Sequence, residues 1–216
     1  MPSRAQKAGP LLEVMTGQPV IPVIKVDRAE DAVPLARALA RGGLRAIEIT
    51  LRTPAALDAI RLASAEAPEA IVGAGTILDA AQFKAATEAG ARFIVSPGLT
   101  PQLIDAAAGS DVPLLPGAVT PGEIMAARES GYKLLKFFPA EQAGGASFLK
   151  ALSSPLAEVR FCPTGGIGAG NARDYLALPN VICVGGSWVA PDSMIASGDW
   201  DGITRLAAEA ALLAKD

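Results

Sequence analysis

The chain has 216 residues, half of them apolar, with 19 basic and 22 acidic side chains and a net charge of −3. That length fits one large domain or two small ones, and without a long basic run it offers nucleic-acid phosphates no concentrated positive surface. Two cysteines suit a reducing cytoplasm rather than a disulfide framework, and the absence of histidine removes Ser-His and Cys-His nucleophile pairs, His general bases and His metal sites.

Residues 1–16 read as an N-terminal extension or short helix with no signal-peptide segment. From residue 17 onward short apolar runs recur. They begin at Pro19, Ala46, Ala70, Arg92, Val112, Lys133, Val159 and Val181, with intervals of 20 to 27 residues, close to the minimum for a strand and its crossover helix. Between them lie Ala/Leu-rich segments at helical spacing, such as residues 31–41 (Ala32, Leu35, Ala36, Leu39) and 54–65 (Leu57, Ile60, Leu62). Thr53-Pro54, Thr100-Pro101 and Thr120-Pro121 read as N-caps followed by a first-turn proline. Gly42-Gly43, Gly90 and Gly131 stand where helices should stop. Residues 200–214 read as the closing helix.

Alternating strands and helices imply a parallel sheet covered by helices. Eight such units with no linker, and no G-x-G-x-x-G after the first strand, favour a single (β/α)8 TIM barrel over residues 17–216, near the ~200-residue lower limit of that architecture. No apolar run approaches the ~18 residues of a membrane span.

A barrel of this kind does its chemistry at the C-terminal ends of its strands. Lys136 interrupts Leu134-Leu135-Lys136-Phe137-Phe138, where a buried strand would normally carry an aliphatic residue. It is either a lysine snorkelling between helices or a buried amine able to form a Schiff base with a carbonyl. Lys25 alone among the other six lysines could also reach the mouth. Glu48, between Ile47 and Ile49, shares strand parity with Thr50 and Arg52. It reads as a general acid/base or as a structural ion pair with Lys136 or Arg52. Arg52 suits bidentate capture of a carboxylate. Gly165-Gly166 and Gly185-Gly186-Ser187 follow strands 7 and 8, where backbone N–H groups of such barrels often bind phosphate. Cys162 and Cys183 read as small core residues.

The motifs Val-Gly-Ala-Gly-Thr (72–76), Ser-Pro-Gly (96–98), Lys-Phe-Phe-Pro-Ala-Glu (136–141), Arg-Phe-Cys-Pro-Thr-Gly-Gly-Ile (160–167) and Gly-Gly-Ser-Trp (185–188), with residues 43–53, resemble the 2-keto-3-deoxy-6-phosphogluconate (KDPG) aldolases. The resemblance spans roughly residues 17–210. It implies a class I, metal-independent aldolase of the Entner–Doudoroff route that yields pyruvate and glyceraldehyde 3-phosphate, with activity on 4-hydroxy-2-oxoglutarate (KHG) as an addition. It assigns Lys136 to the Schiff base, Glu48 to acid/base work, Arg52 and Thr76 to the pyruvyl carboxylate, and Pro97 and Phe138 to pocket walls. Gly165, Gly166, Gly186 and Ser187 fall to the phosphate end. It further implies no cofactor, a homotrimer and a cytoplasmic setting. Lys25 departs from the family pattern. The alternatives are an aldolase for the C4-epimeric galactonate substrate, a phosphate-binding barrel isomerase or synthase without an imine, and a catalytically dead barrel serving as a binding subunit.

Overall fold

The computed structural model describes residues 7–213. Helix α1 (Ala8–Thr16) leads into strand β1 (Val20–Ile24), a 3-10 turn (Ala29–Asp31), α2 (Ala32–Arg41), β2 (Ala46–Thr50), α3 (Ala56–Glu66), β3 (Ile71–Gly75) and α4 (Ala80–Glu88). The second half runs β4 (Ile94–Val95), α5 (Pro101–Ala108), β5 (Leu114–Leu115), α6 (Pro121–Glu129), β6 (Leu134–Phe137), α7 (Gly145–Leu152), β7 (Arg160–Pro163), α8 (Ala172–Leu176), β8 (Val184–Gly186), α9 (Asp192–Ser197) and α10 (Trp200–Ala211). None of the helices among the described residues is long and apolar enough to cross a membrane.

Six strands form one parallel sheet in the order β5-β4-β3-β2-β1-β8, and β6 and β7 form a parallel pair. Isolated bridges, Gly117 with Lys136 on one side and Phe161 with Val181 and Thr164 with Gly185 on the other, join that pair to the two ends of the sheet. The eight strands expected from the sequence are thus present as a curled six-stranded sheet and a pair. Ladders at the two seams shrink to single bridges because the flanking segments are short and carry Pro116 and Pro163, which have no N–H to donate. The eighth strand starts at Val184, later than the apolar run beginning at Val181.

The helix boundaries follow local chemistry. Thr100 and Thr120 accept from the Leu103 and Glu123 N–H groups, the second within a complete capping box. Thr53 does not cap α3, contrary to its Thr-Pro signature. The helix starts at Ala56, and the Thr53 hydroxyl donates instead to the Val26 carbonyl at 2.5 Å, tying the β2 exit to the β1 exit. The closing helix ends at Ala211, short of the expected Ala214, which lies with residues 215–216 outside the described residues. Residues 1–6 of the expected extension also lie outside them, while Ala8–Thr16 forms the short helix.

Two apolar layers result. The larger packs the helices on the outside of the strands. The smaller, Leu11 and Met15 of α1 with Ile21, Ala46, Phe93, Val95, Leu115, Leu134, Cys162 and Cys183, fills the space the strands enclose at their N-terminal end. Both Leu11 and Met15 are fully buried, each worth ~1.5–3 kcal/mol in transfer terms. Cys162 and Cys183 are core residues as expected; hydrogen bonding with the neighbouring Cys162, and then burial, push the Cys183 thiol well above its ordinary value.

Candidate active site

At the other end of that space the side chains become polar. Period-2 alternation puts Glu48 on the same side of β2 as Ala46, and Lys136 on the same side of β6 as Leu134. Both apolar partners belong to the inner layer. Strands β2 and β6 share no ladder, so contact between their side chains has to cross the enclosed space. It does: Lys136 Nζ donates to Glu48 Oε1 at 3.2 Å, with the two residues only 5% and 3% exposed. Both readings of Glu48 held open by the sequence meet here, because the ion pair exists and joins the two groups best suited to chemistry. Lys136 does not snorkel outward. Its Nζ also lies 5.4 Å from the centroid of the Phe138 ring, a favourable cation–π arrangement.

Glycines in β3 make room for this arrangement. A Cβ on Gly75 would lie 1.9 Å from Glu48 Oε1, and one on Gly73 would lie 2.3 Å from the Phe93 ring. The carboxylate therefore rests over bare backbone. The strand end that follows is strained: Thr76 has φ of +59°, a conformation unusual for a β-branched residue. Arg52 is exposed just past β2, where its Nε donates to Thr50 Oγ1 at 2.8 Å, and Thr50 in turn donates to the Ile24 carbonyl at 2.8 Å. This relay fixes the base of the arginine at the mouth. Pro97 and Phe138 line a cavity of about 570 Å³ that lies against α5 and α6 (Ile104, Ala126) and includes neither Lys136 nor Glu48.

After β7 and β8, Gly165 and Gly166 both have positive φ, +102° and +74°, which only glycine adopts freely. Gly186, at the end of β8, is glycine for a different reason: a Cβ there would lie 1.8 Å from the Trp188 ring. Ser187 is exposed beside it.

Lys25, the alternative amine, sits apart from this group. Its Nζ lies 3.0 Å from Asp27 Oδ2 and 3.7 Å from Asp192 Oδ2, and the hydrogen bond to Asp27, then the charges of both carboxylates, hold the ammonium above its ordinary value. A lysine kept protonated is a poor nucleophile, and Lys25 is partly exposed and held by two carboxylates where Lys136 is buried. Thr164 is a residue the sequence reading passed over. It is 6% exposed at the end of β7, with its hydroxyl where a Cβ on Gly185 would otherwise stand. Its signal was a polar residue in step with Cys162 on a buried strand.

A parallel α/β chain whose strands set a buried amine against a carboxylate at one end holds groups suited to amine and carboxylate chemistry. Comparison with known proteins narrows the class. The chain belongs to the KDPG and KHG aldolase family, whose family model matches residues 11–206. It is 53% identical over 197 residues to a KHG/KDPG aldolase of Escherichia coli (strain K12), covering 91% of this chain and 92% of that one. The KDPG aldolase of Legionella pneumophila, solved with pyruvate captured at low pH as a covalent carbinolamine intermediate, superimposes with a TM-score of 0.91 at 46% identity, covering 95% of this chain and 99% of that one. The Zymomonas mobilis ZM4 enzyme, solved with 3-phosphoglycerate, gives 0.89 at 44% identity, covering 96% and 97%.

Proposed function

We propose that the chain is a class I aldolase, a carbon–carbon lyase cleaving 2-keto-3-deoxy-6-phosphogluconate to pyruvate and glyceraldehyde 3-phosphate and also acting on 4-hydroxy-2-oxoglutarate. Family membership supports this, and the observation that carries it is the buried Lys136–Glu48 pair. Lys136 Nζ adds to the C2 ketone and water leaves, giving a protonated imine. Glu48, directly or through a water, takes the proton of the C4 hydroxyl. The C3–C4 bond then breaks, its electron pair passes into the imine to form an enamine, and the aldehyde departs. Protonation of the enamine at C3 and hydrolysis of the imine release pyruvate and restore the amine. The imine is the electron sink, so the step asks nothing of a metal.

On this reading Arg52 and Thr76 hold the pyruvyl carboxylate, while Pro97 and Phe138 wall the pocket. Gly165, Gly166, Gly186 and Ser187 receive the phosphoryl end through backbone N–H groups and a hydroxyl. The single bridges at the seams support reading the six-stranded sheet and the pair as one closed (β/α)8 barrel, a single domain over residues 17–216 preceded by the extension 1–16. The family resemblance supports a homotrimer in the cytoplasm.

Borohydride reduction in the presence of pyruvate tests the proposal. A stable adduct on the peptide carrying Lys136 is the expected result. Adduct on another lysine, or none, overturns the assignment.

A further inference from the structure

The turn after β7 is braced by two side chains that take no part in the steps above. Glu141, in the segment between β6 and α7, donates its backbone N–H to the Gly165 carbonyl at 3.1 Å. Its stem lies against Gly166 so closely that a Cβ there would be 2.5 Å from Glu141 Cγ and 2.7 Å from Cβ. From the opposite side α8 brings Tyr175, 1% exposed, whose hydroxyl donates to Glu141 Oε1. Gly145 leaves room for the pair: a Cβ there would be 3.4 Å from the phenol oxygen and 3.6 Å from that carboxylate oxygen. Asn171 completes the brace, donating to the Gly166 carbonyl at 3.1 Å and accepting from the Gly168 N–H at 2.8 Å. Burial first, and then the Glu141 carboxylate, push the phenol above its ordinary value, so it stays a donor across any working pH.

We propose that Glu141 and Tyr175 are positioning residues for phosphoryl recognition, their hydrogen bond fixing the Gly165–Gly166 turn in the shape that receives the phosphoryl group. This rests on the assignment of that turn to the phosphate end. The bond has two effects. It locks Glu141, whose stem sets the height of Gly166, and it directs the carboxylate toward α8 and away from the mouth, where its charge would oppose a phosphate dianion. Neither effect reaches Lys136, so the brace acts on binding of the phosphorylated end and not on imine formation.

The experiment compares Tyr175→Phe, Glu141→Ala and Glu141→Gln with the wild type in three readouts: KM and kcat for 2-keto-3-deoxy-6-phosphogluconate, competitive inhibition by inorganic phosphate, and borohydride trapping of pyruvate. Tyr175→Phe and Glu141→Ala are expected to raise KM and the phosphate inhibition constant about tenfold, the equivalent of ~1.4 kcal/mol. Their kcat and trapping rate should stay within about twofold of wild type. Glu141→Gln keeps an acceptor for the phenol and should return most of the loss. Unchanged KM in both disrupting variants, or a rise in KM matched by an equal fall in kcat and trapping, overturns the proposal and leaves the pair a support of the fold. If one disrupting variant fails to fold, the other gives the same reading. A wild-type enzyme not inhibited by phosphate refutes the phosphate assignment itself, separately from the brace.

Discussion

Adding one methyl group to β3 tests how far the site's chemistry depends on the clearance over Glu48. In Gly75→Ala the new Cβ falls 1.9 Å from Glu48 Oε1, 2.5 Å from Cδ and 2.6 Å from Cγ, so the carboxylate has to swing away and its 3.2 Å contact with Lys136 is lost. The obstacle is the end of a flexible side chain, and its new rotamer costs ~0.5–1.5 kcal/mol. Replacing glycine lowers the entropy of the unfolded chain by a comparable ~0.4–1 kcal/mol. These two nearly cancel, but a buried pair left unmatched costs up to about 3–5 kcal/mol, so stability should fall as well. The rate should move a great deal, because a displacement of about 1 Å in a catalytic group costs on the order of 10²-fold, within the 10²–10⁴ that a general acid/base contributes. Gly73→Ala is the control: its Cβ meets the Phe93 ring at 2.3 Å, a fully buried side chain. Overpacking of ~1–3 kcal/mol should lower Tm by roughly 2–4 °C per kcal/mol in a protein of this size. The assay is pyruvate release followed by a coupled dehydrogenase, alongside thermal unfolding of both variants. Gly75→Ala with cleavage within threefold of wild type would refute the placement of Glu48 in the reaction, and Gly73→Ala losing as much activity as Gly75→Ala would show that the rate follows stability alone.

Three further outcomes are expected. Glu48→Gln should fold, trap pyruvate slowly and lose roughly 10²–10⁴-fold in cleavage, and a loss under tenfold measured in the coupled assay would make Glu48 structural. Lys25→Met should leave pyruvate trapping and its peptide map unchanged, since Lys25 is held by Asp27 and Asp192; loss of the adduct would return it to the site. Glu123, whose carboxylate accepts from the Thr120 and Val119 N–H groups, is held below the usual carboxylate range. The stability it adds is complete above its unfolded value of 4.5 and lost as pH falls through the lowered folded value. Glu123→Ala should therefore cost ~1 kcal/mol at pH 7, and urea midpoints should show that gap closing in acid.

The alternation of Glu48 and Lys136 within buried strands was legible because strand parity is a local rule, and a charged residue in step with core residues stands out against it. The glycine-terminated helices were legible for the same reason: Gly43, Gly90 and Gly131 all adopt positive φ. Strand 8 was placed early because Val181-Ile182-Cys183 is apolar while Gly185-Gly186 does not resemble a strand; there the ladder with β1 decides, pairing Val20 to Pro22 with Val184 to Gly186. Thr53 misled because a hydroxyl before proline fits an N-cap in sequence, whereas in the fold a carbonyl from another strand end claims it. The clearance of Gly75 for Glu48 and the meeting of Tyr175 with Glu141 had no local signature. Each is set by distances across elements 27 and 34 positions apart in the chain.

Helix α1 gives the reaction chamber a floor. Leu11 and Met15 fill the space at the N-terminal end of the strands, with Met15 Sδ 3.9 Å from Cys183 Sγ, on the side of Lys136 away from Arg52. On the closed-barrel reading, the end that carries Arg52 and Phe138 is the one through which substrate enters and products leave. The order of departures, aldehyde first and pyruvate second, comes from the chemistry, because pyruvate stays covalently held until the imine is hydrolysed, and the helix that fills the far end leaves that order unchanged.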